Sequence, residues 1–97
     1  MKRTIPIAKP YFTGQETERL AEVIASGWIT QGPMVRRFEE MFRQRLGCEY
    51  TVALSSCTAA LHLALIAHSI GPVDEVIVPA FTFAATANVV ELIGAKT

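Results

Sequence analysis

At 97 residues, 51% of them hydrophobic and 19% charged, with a formal net charge of +0, the chain has room for one small domain. The even charge balance, with no basic run, argues against a nucleic-acid or anionic-membrane surface, and the high apolar fraction excludes disorder. Charge is also unevenly spread: residues 1–50 hold 8 Lys+Arg and 6 Asp+Glu, whereas residues 51–97 hold Lys96 against Asp74, Glu75 and Glu91, too little to clothe a surface.

That second half therefore reads as a core piece of a larger protein or of an oligomer. In chain order, Met1-Lys2-Arg3 opens like a signal peptide, but Pro6, Lys9 and Pro10 interrupt any apolar stretch behind it. Residues 1–12 are expected as an extended arm. Thr13 with Glu16 three residues on predicts a capping box that opens a helix, striped by Leu20, Val23 and Ile24 and ended by Gly27. A loop follows, Ser26-Gly27-Trp28-Ile29-Thr30-Gln31-Gly32-Pro33, which carries two apolar residues unusual for a simple linker. Pro33 suits the first position of a second helix. Val35, Phe38, Met41, Phe42 and Leu46 are expected on its inner face, with Arg36, Arg37, Glu39, Glu40 and Arg43 outside.

Beyond Gly47 the pattern changes. Residues 50–54 and 75–78 predict two short buried strands, and Lys96-Thr97 the start of a third. Residues 59–70 predict a helix buried nearly all round and stopped by Gly71-Pro72; residues 81–93 predict another. The alternation of strand and helix implies an α/β crossover fold. Residues 76–90, the most apolar stretch, are broken by Pro79, Thr82, Thr86 and Asn88 and do not make a membrane span. Cys48 and Cys57 match neither a disulfide framework nor a zinc pattern, and two lone thiols fit a reducing cytoplasm.

The corner Ser55-Ser56-Cys57-Thr58-Ala59 lies between a predicted strand and the amino end of a helix. Free N–H groups and the positive end of the helix dipole make such a corner an anion site, to which the Ser56 and Thr58 hydroxyls can add hydrogen bonds. An ordinary helix cap explains the same residues. No glycine lies between Cys48 and Ile70, so neither the dinucleotide fingerprint nor the P-loop is present. The second strand ends at Pro79-Ala80-Phe81-Thr82-Phe83, where an aromatic can lie on a planar ligand or simply pack. His62 and His68, six apart, have no partner at metal-ligand spacing. Cys57 is open to two readings, a reactive thiol or a small packed residue. Asp74-Glu75 reads as solvated turn polarity, and the arginines at 36, 37, 43 and 45 as a solvated helix face.

Three segments together resemble the amino-terminal part of the DegT/StrS-type aminotransferases. They are Ser26-Gly27-Trp28-Ile29-Thr30-Gln31-Gly32-Pro33, Val52-Ala53-Leu54-Ser55-Ser56-Cys57-Thr58-Ala59-Ala60-Leu61-His62, and Asp74-Glu75-Val76-Ile77-Val78-Pro79-Ala80-Phe81-Thr82-Phe83. The resemblance runs from Ile5 to Thr97. It implies the amino-terminal fragment of the large domain of a type I pyridoxal-phosphate-dependent transferase fold, with residues 1–97 as part of that cofactor-binding domain. It also implies a cytoplasmic homodimer that moves an amino group from an amino-acid donor to a nucleotide-linked keto sugar, as in polysaccharide biosynthesis.

Carried over by position, Cys57, Thr58 and Ala59 match the small-Thr-small turn that holds the cofactor phosphate, with Cys57 where the family's commonest version has glycine. Phe83 matches the aromatic stacked on the pyridine ring. Trp28-Ile29-Thr30 resembles the loop beside the substrate entrance and the dimer partner, with Thr30 as the sugar-nucleotide contact. The family's Schiff-base lysine, the acidic partner of the pyridinium nitrogen and a further phosphate-binding serine match positions beyond 97; Lys2, Lys9 and Lys96 do not match the lysine. The chain alone is therefore expected to be catalytically incompetent. A sugar dehydratase relative of the same fold, in which histidine replaces that lysine, and a truncated non-catalytic fragment are the alternatives.

Overall fold

A computed structural model describes residues 5–97. The charged opening Met1-Lys2-Arg3 and the first four residues of the expected arm lie outside the described residues. The chain forms two compact units, Met1–Thr51 and Val52–Thr97.

In the first unit, residues 5–13 carry neither helix nor strand, and α1 runs Gln15–Ala25. Its start differs from the expected capping box. Gly14, at φ 97°, is the N-cap and offers no side chain, so the box closes from one side only. The Glu16 carboxylate accepts from the backbone N–H of Thr13 at 3.0 Å and of Gly14 at 3.1 Å. The Thr13 hydroxyl also turns to that carboxylate, at 3.3 Å, instead of capping a helical amide. These bonds, chiefly to its own and the Thr13 amide, hold the Glu16 carboxyl below its ordinary range.

Helix α2 runs Pro33–Leu46, with Pro33 at the first helical position and Gly47 closing it at φ 65°. The expected inner face is not buried. Phe38, Met41, Phe42 and Leu46 are exposed, although Phe38 and Phe42 meet as tilted rings with centroids 5.5 Å apart. Arg43 and Glu39, expected outside, are half-buried. The Thr51 hydroxyl donates to the Glu39 carbonyl at 2.6 Å. Two short helices bury little apolar area, so each leaves its stripe open.

The second unit holds α3, Cys57–Ala67, and α4, Ala85–Leu92, packed against each other. Val89, Val90 and Ala95 form its core. Helix α3 begins two residues earlier than expected, because the Ser56 side chain caps it. It also stops earlier, ahead of Gly71-Pro72: His68 is the C-cap and Ser69 adopts φ 58°. The helix is apolar all round, yet none of its residues is fully buried; α4 covers one side, and Leu63 and Ile66 stay exposed. Helix α4 starts at Ala85, so Ala80, Phe81 and Thr82 form bends ahead of it and Phe83 lies in the connection to its first turn.

The expected strands are the main difference. Among the described residues there is one isolated parallel bridge, Glu75 to Lys96. The Val76 N–H donates to the Lys96 carbonyl at 2.8 Å and the Lys96 N–H to the Asp74 carbonyl at 3.0 Å. Residues 50–54 and 76–78 are part of no strand. A strand needs consecutive bonds from a neighbour, and among the described residues the bridge spans one register position. The described residues are thus helices and a bridge, not the alternating strand and helix layers of the α/β expectation.

Candidate functional site: the amino end of α3 and the loop before α2

The amino end of α3 is set by Ser56. It sits in extended backbone at φ −159°, ψ 159°, and its hydroxyl accepts the N–H of Ala59 at 3.1 Å. Its carbonyl accepts the Ala60 N–H, the first helical bond, at 3.1 Å. The amides of Cys57 and Thr58 precede any helical acceptor. Both residues are exposed and Ala59 is half-buried, in a turn of small side chains. The 11-residue helix behind them adds the positive end of its dipole. Such a turn suits an anion with several oxygens, as a phosphate monoester is, and its residues fit that group.

The Ser56 side chain therefore serves as the cap, as the ordinary-cap reading expects.

Phe83 stands elsewhere in the same unit, two residues before α4. It is 81% exposed, and its carbonyl accepts the Thr86 N–H at 3.0 Å. Thr82 and Thr86 pair through their hydroxyls at 3.1 Å. Asp74 is not simple solvated polarity. It is half-buried, and its Oδ2 accepts the Gly71 N–H at 2.8 Å, closing the turn that leads into the bridge.

Thr30 belongs to the first unit, in the loop between α1 and α2. The Ser26 hydroxyl donates to the Val23 carbonyl at 2.6 Å and accepts the Trp28 amide at 3.1 Å. The Trp28 indole folds back so that Nε1 donates to the Gln31 carbonyl at 3.0 Å. The ring lies over Gly32, where an ideal Cβ would stand 2.0 Å from Nε1. Thr30 itself is exposed. Sequence reasoning marked Trp28 as unusual for a linker but missed its role as a tie; a tryptophan four residues before a glycine was the available signal.

Among the described residues no group of three His, Cys, Asp or Glu side chains could hold a metal, and no helix is long and apolar enough to cross a membrane.

Over nearly its whole length the chain matches solved structures of aminotransferases. It superposes on protein Spr1654 of Streptococcus pneumoniae, assigned as a sugar aminotransferase and solved in PMP, PLP and apo forms. For the PMP form the TM-score is 0.85 at 39% identity, covering 97% of this chain and 24% of that one. The aminotransferase TlmJ of Streptoalloteichus hindustanus matches with a TM-score of 0.84 at 36% identity, over 95% of this chain and 26% of that one. In sequence, a UDP-4-amino-4-deoxy-L-arabinose–oxoglutarate aminotransferase of Shewanella sediminis is 42% identical over 92 residues, 95% of this chain and 24% of its own length. Residues 10–97 match the DegT/DnrJ/EryC1/StrS aminotransferase family, and the chain belongs to it. It spans about a quarter of the length of these relatives.

Proposed function

We propose that these residues form the amino-terminal quarter of a pyridoxal-phosphate-dependent aminotransferase that acts on a nucleotide-linked keto sugar. The observation that carries this reading is the head of α3, where Ser56 caps the helix and Cys57 and Thr58 stand exposed in its first turn. Cys57, Thr58 and Ala59 would hold the cofactor phosphate, through backbone N–H groups and the Thr58 hydroxyl. Phe83, exposed ahead of α4, would lie against the pyridine ring. Bound there, the cofactor supplies the electron sink that amino transfer requires.

This chain's own part is to bind and orient. Its amides would stabilise the phosphate charge through hydrogen bonds, and the aromatic would pack against the ring. Thr30 would contact the sugar nucleotide from the loop before α2. The lysine that anchors the cofactor and moves the proton would come from outside residues 1–97. In the complete protein, the bridge between Glu75 and Lys96 would be one rung of the parallel sheet of a type I α/β large domain, with residues 1–12 as its arm. A cytoplasmic homodimer and an amino-acid donor complete the reading.

The test is made on the full-length chain. Titration with pyridoxal phosphate, followed by visible absorbance, is expected to saturate at one per chain. The loaded protein is expected to exchange amino groups between oxoglutarate and a nucleotide-linked amino sugar, with UDP-4-amino-4-deoxy-L-arabinose as the first probe. Absence of cofactor binding would overturn the proposal; binding without turnover on any of a panel of nucleotide-linked amino sugars would remove the substrate half of it.

A further inference from the structure

The loop before α2 is more ordered than a connection of its length requires. Four interactions tie it: the Ser26 hydroxyl to Val23 and to the Trp28 amide, the Trp28 indole to the Gln31 carbonyl, and the ring over Gly32. Thr30 is enclosed by these ties without taking part in them. It lies between Trp28, which supplies the donor, and Gln31, which supplies the acceptor, and it remains exposed.

Gly32 is needed for a reason of space. Its φ of −174° is open to any residue, but a Cβ would stand 2.0 Å from Nε1 and 2.5 Å from Cδ1 of the indole. The ring would have to leave, and its bond to Gln31 with it. Pro33 then locks the far end of the loop into the first turn of α2.

From this arrangement we propose that Trp28 is a positioning residue for Thr30. The indole, seated on Gly32 and tied to Gln31, holds the loop in the one conformation that offers the Thr30 hydroxyl to substrate. The inference rests on the reading of Thr30 as a sugar-nucleotide contact. Its energetic logic is preorganisation: a loop ordered before binding loses less entropy when the substrate arrives.

The full-length chain and its variants W28F, G32A and T30A test the proposal. The Trp28 indole N–H resonance is identified by its loss in W28F. Hydrogen exchange is followed by mass spectrometry over residues 26–33, with residues 36–46 as an internal control. In G32A the indole resonance is expected to move, and exchange over 26–33 to quicken about fivefold, as for one lost hydrogen bond, with the control unchanged.

Kinetics with UDP-4-amino-4-deoxy-L-arabinose and oxoglutarate are expected to show KM for the amino sugar raised about tenfold in G32A, with kcat and the oxoglutarate KM within about twofold. W28F, which keeps a ring on Gly32 but no donor, is expected between wild type and G32A, and remains informative if G32A does not fold. T30A is expected to raise the same KM without changing exchange. An unchanged indole resonance and exchange rate in G32A would overturn the clamp. So would a loosened loop with unaltered KM alongside a T30A variant that does alter it. If T30A leaves KM unchanged, or the pair is not turned over, the reading of Thr30 or of the substrate fails instead, and the exchange data still decide whether Trp28 orders the loop.

Discussion

The amide of Ile70 reaches back to the carbonyl of Leu65 at 3.0 Å, and between them Ser69, with its own N–H on the Ile66 carbonyl at 2.9 Å, adopts φ 58°. This is a Schellman stop, usually given to glycine, carried here by a residue with a Cβ. Helix α4 ends in the same way with a glycine. The Gly94 N–H bonds the Glu91 carbonyl, the Ala95 N–H bonds that of Val90, and Gly94 holds φ 82°.

Ser69→Gly is therefore expected to stabilise the chain by about 0.5–1 kcal/mol, because relief of the left-handed strain outweighs the added freedom of the unfolded state. Gly94→Ala is expected to cost about 1–2 kcal/mol through that same strain, and its Cβ would also stand 3.2 Å from Pro72 Cγ. Urea midpoints at unchanged m check both, and equal effects at the two sites would contradict the assignment.

On α2 the Glu40 carboxylate receives Arg43 Nε and Nη2, both at 2.8 Å, and Gln44 Nε2 at 2.6 Å. These bonds, the Arg43 one foremost, lower its pKa from 4.5 to about 2. A depressed carboxyl contributes stability that is complete above the unfolded value and lost as pH falls through the folded one. Helicity is thus expected to decline between pH 4.5 and about 2, less steeply in Glu40→Gln. The pair is solvated, so added salt should shrink the difference between the two proteins. Circular dichroism against pH, at low and high salt, makes the measurement.

At the head of α3 the cap and the proposed phosphate contact can be separated. Ser56→Ala is expected to cost about 1 kcal/mol, and Ser56→Gly only a few tenths. Ser56→Asp caps as well as serine but sets a negative charge beside the Cys57 and Thr58 amides. Stability should hold while pyridoxal phosphate binding weakens about tenfold or more. Unchanged cofactor affinity in Ser56→Asp would remove the phosphate from this turn.

Thr51→Val removes a 2.6 Å bond to the Glu39 carbonyl at a half-buried position. A loss of about 1 kcal/mol in thermal or urea unfolding is expected, with Thr51→Ser retaining most of the stability.

Local hydrogen bonding made the helices legible. Pro33 at the head of α2 and Gly47 at its end act within one turn of their own position and stand where the pattern put them, while the Ser56 cap starts α3 two residues ahead of the expected residue 59. The errors lie where a longer reach is needed. Ser69 stops α3 ahead of Gly71-Pro72 because two amides happen to meet carbonyls in the last turn, and no residue type announces that. Thr13 yields its cap to Gly14 because the Glu16 carboxylate already serves both amides.

Family membership follows from the order and spacing of three segments along the chain, and the cap at the head of α3 from a serine ahead of an apolar run. Tertiary structure alone decided that Trp28 lies over Gly32, that Asp74 closes its own turn, and that, among the described residues, residues 50–54 join no strand while residues 75–78 contribute one bridge, Glu75 to Lys96. The reason is physical: a helix satisfies its backbone from within, whereas a strand is completed only by the neighbour that bonds it.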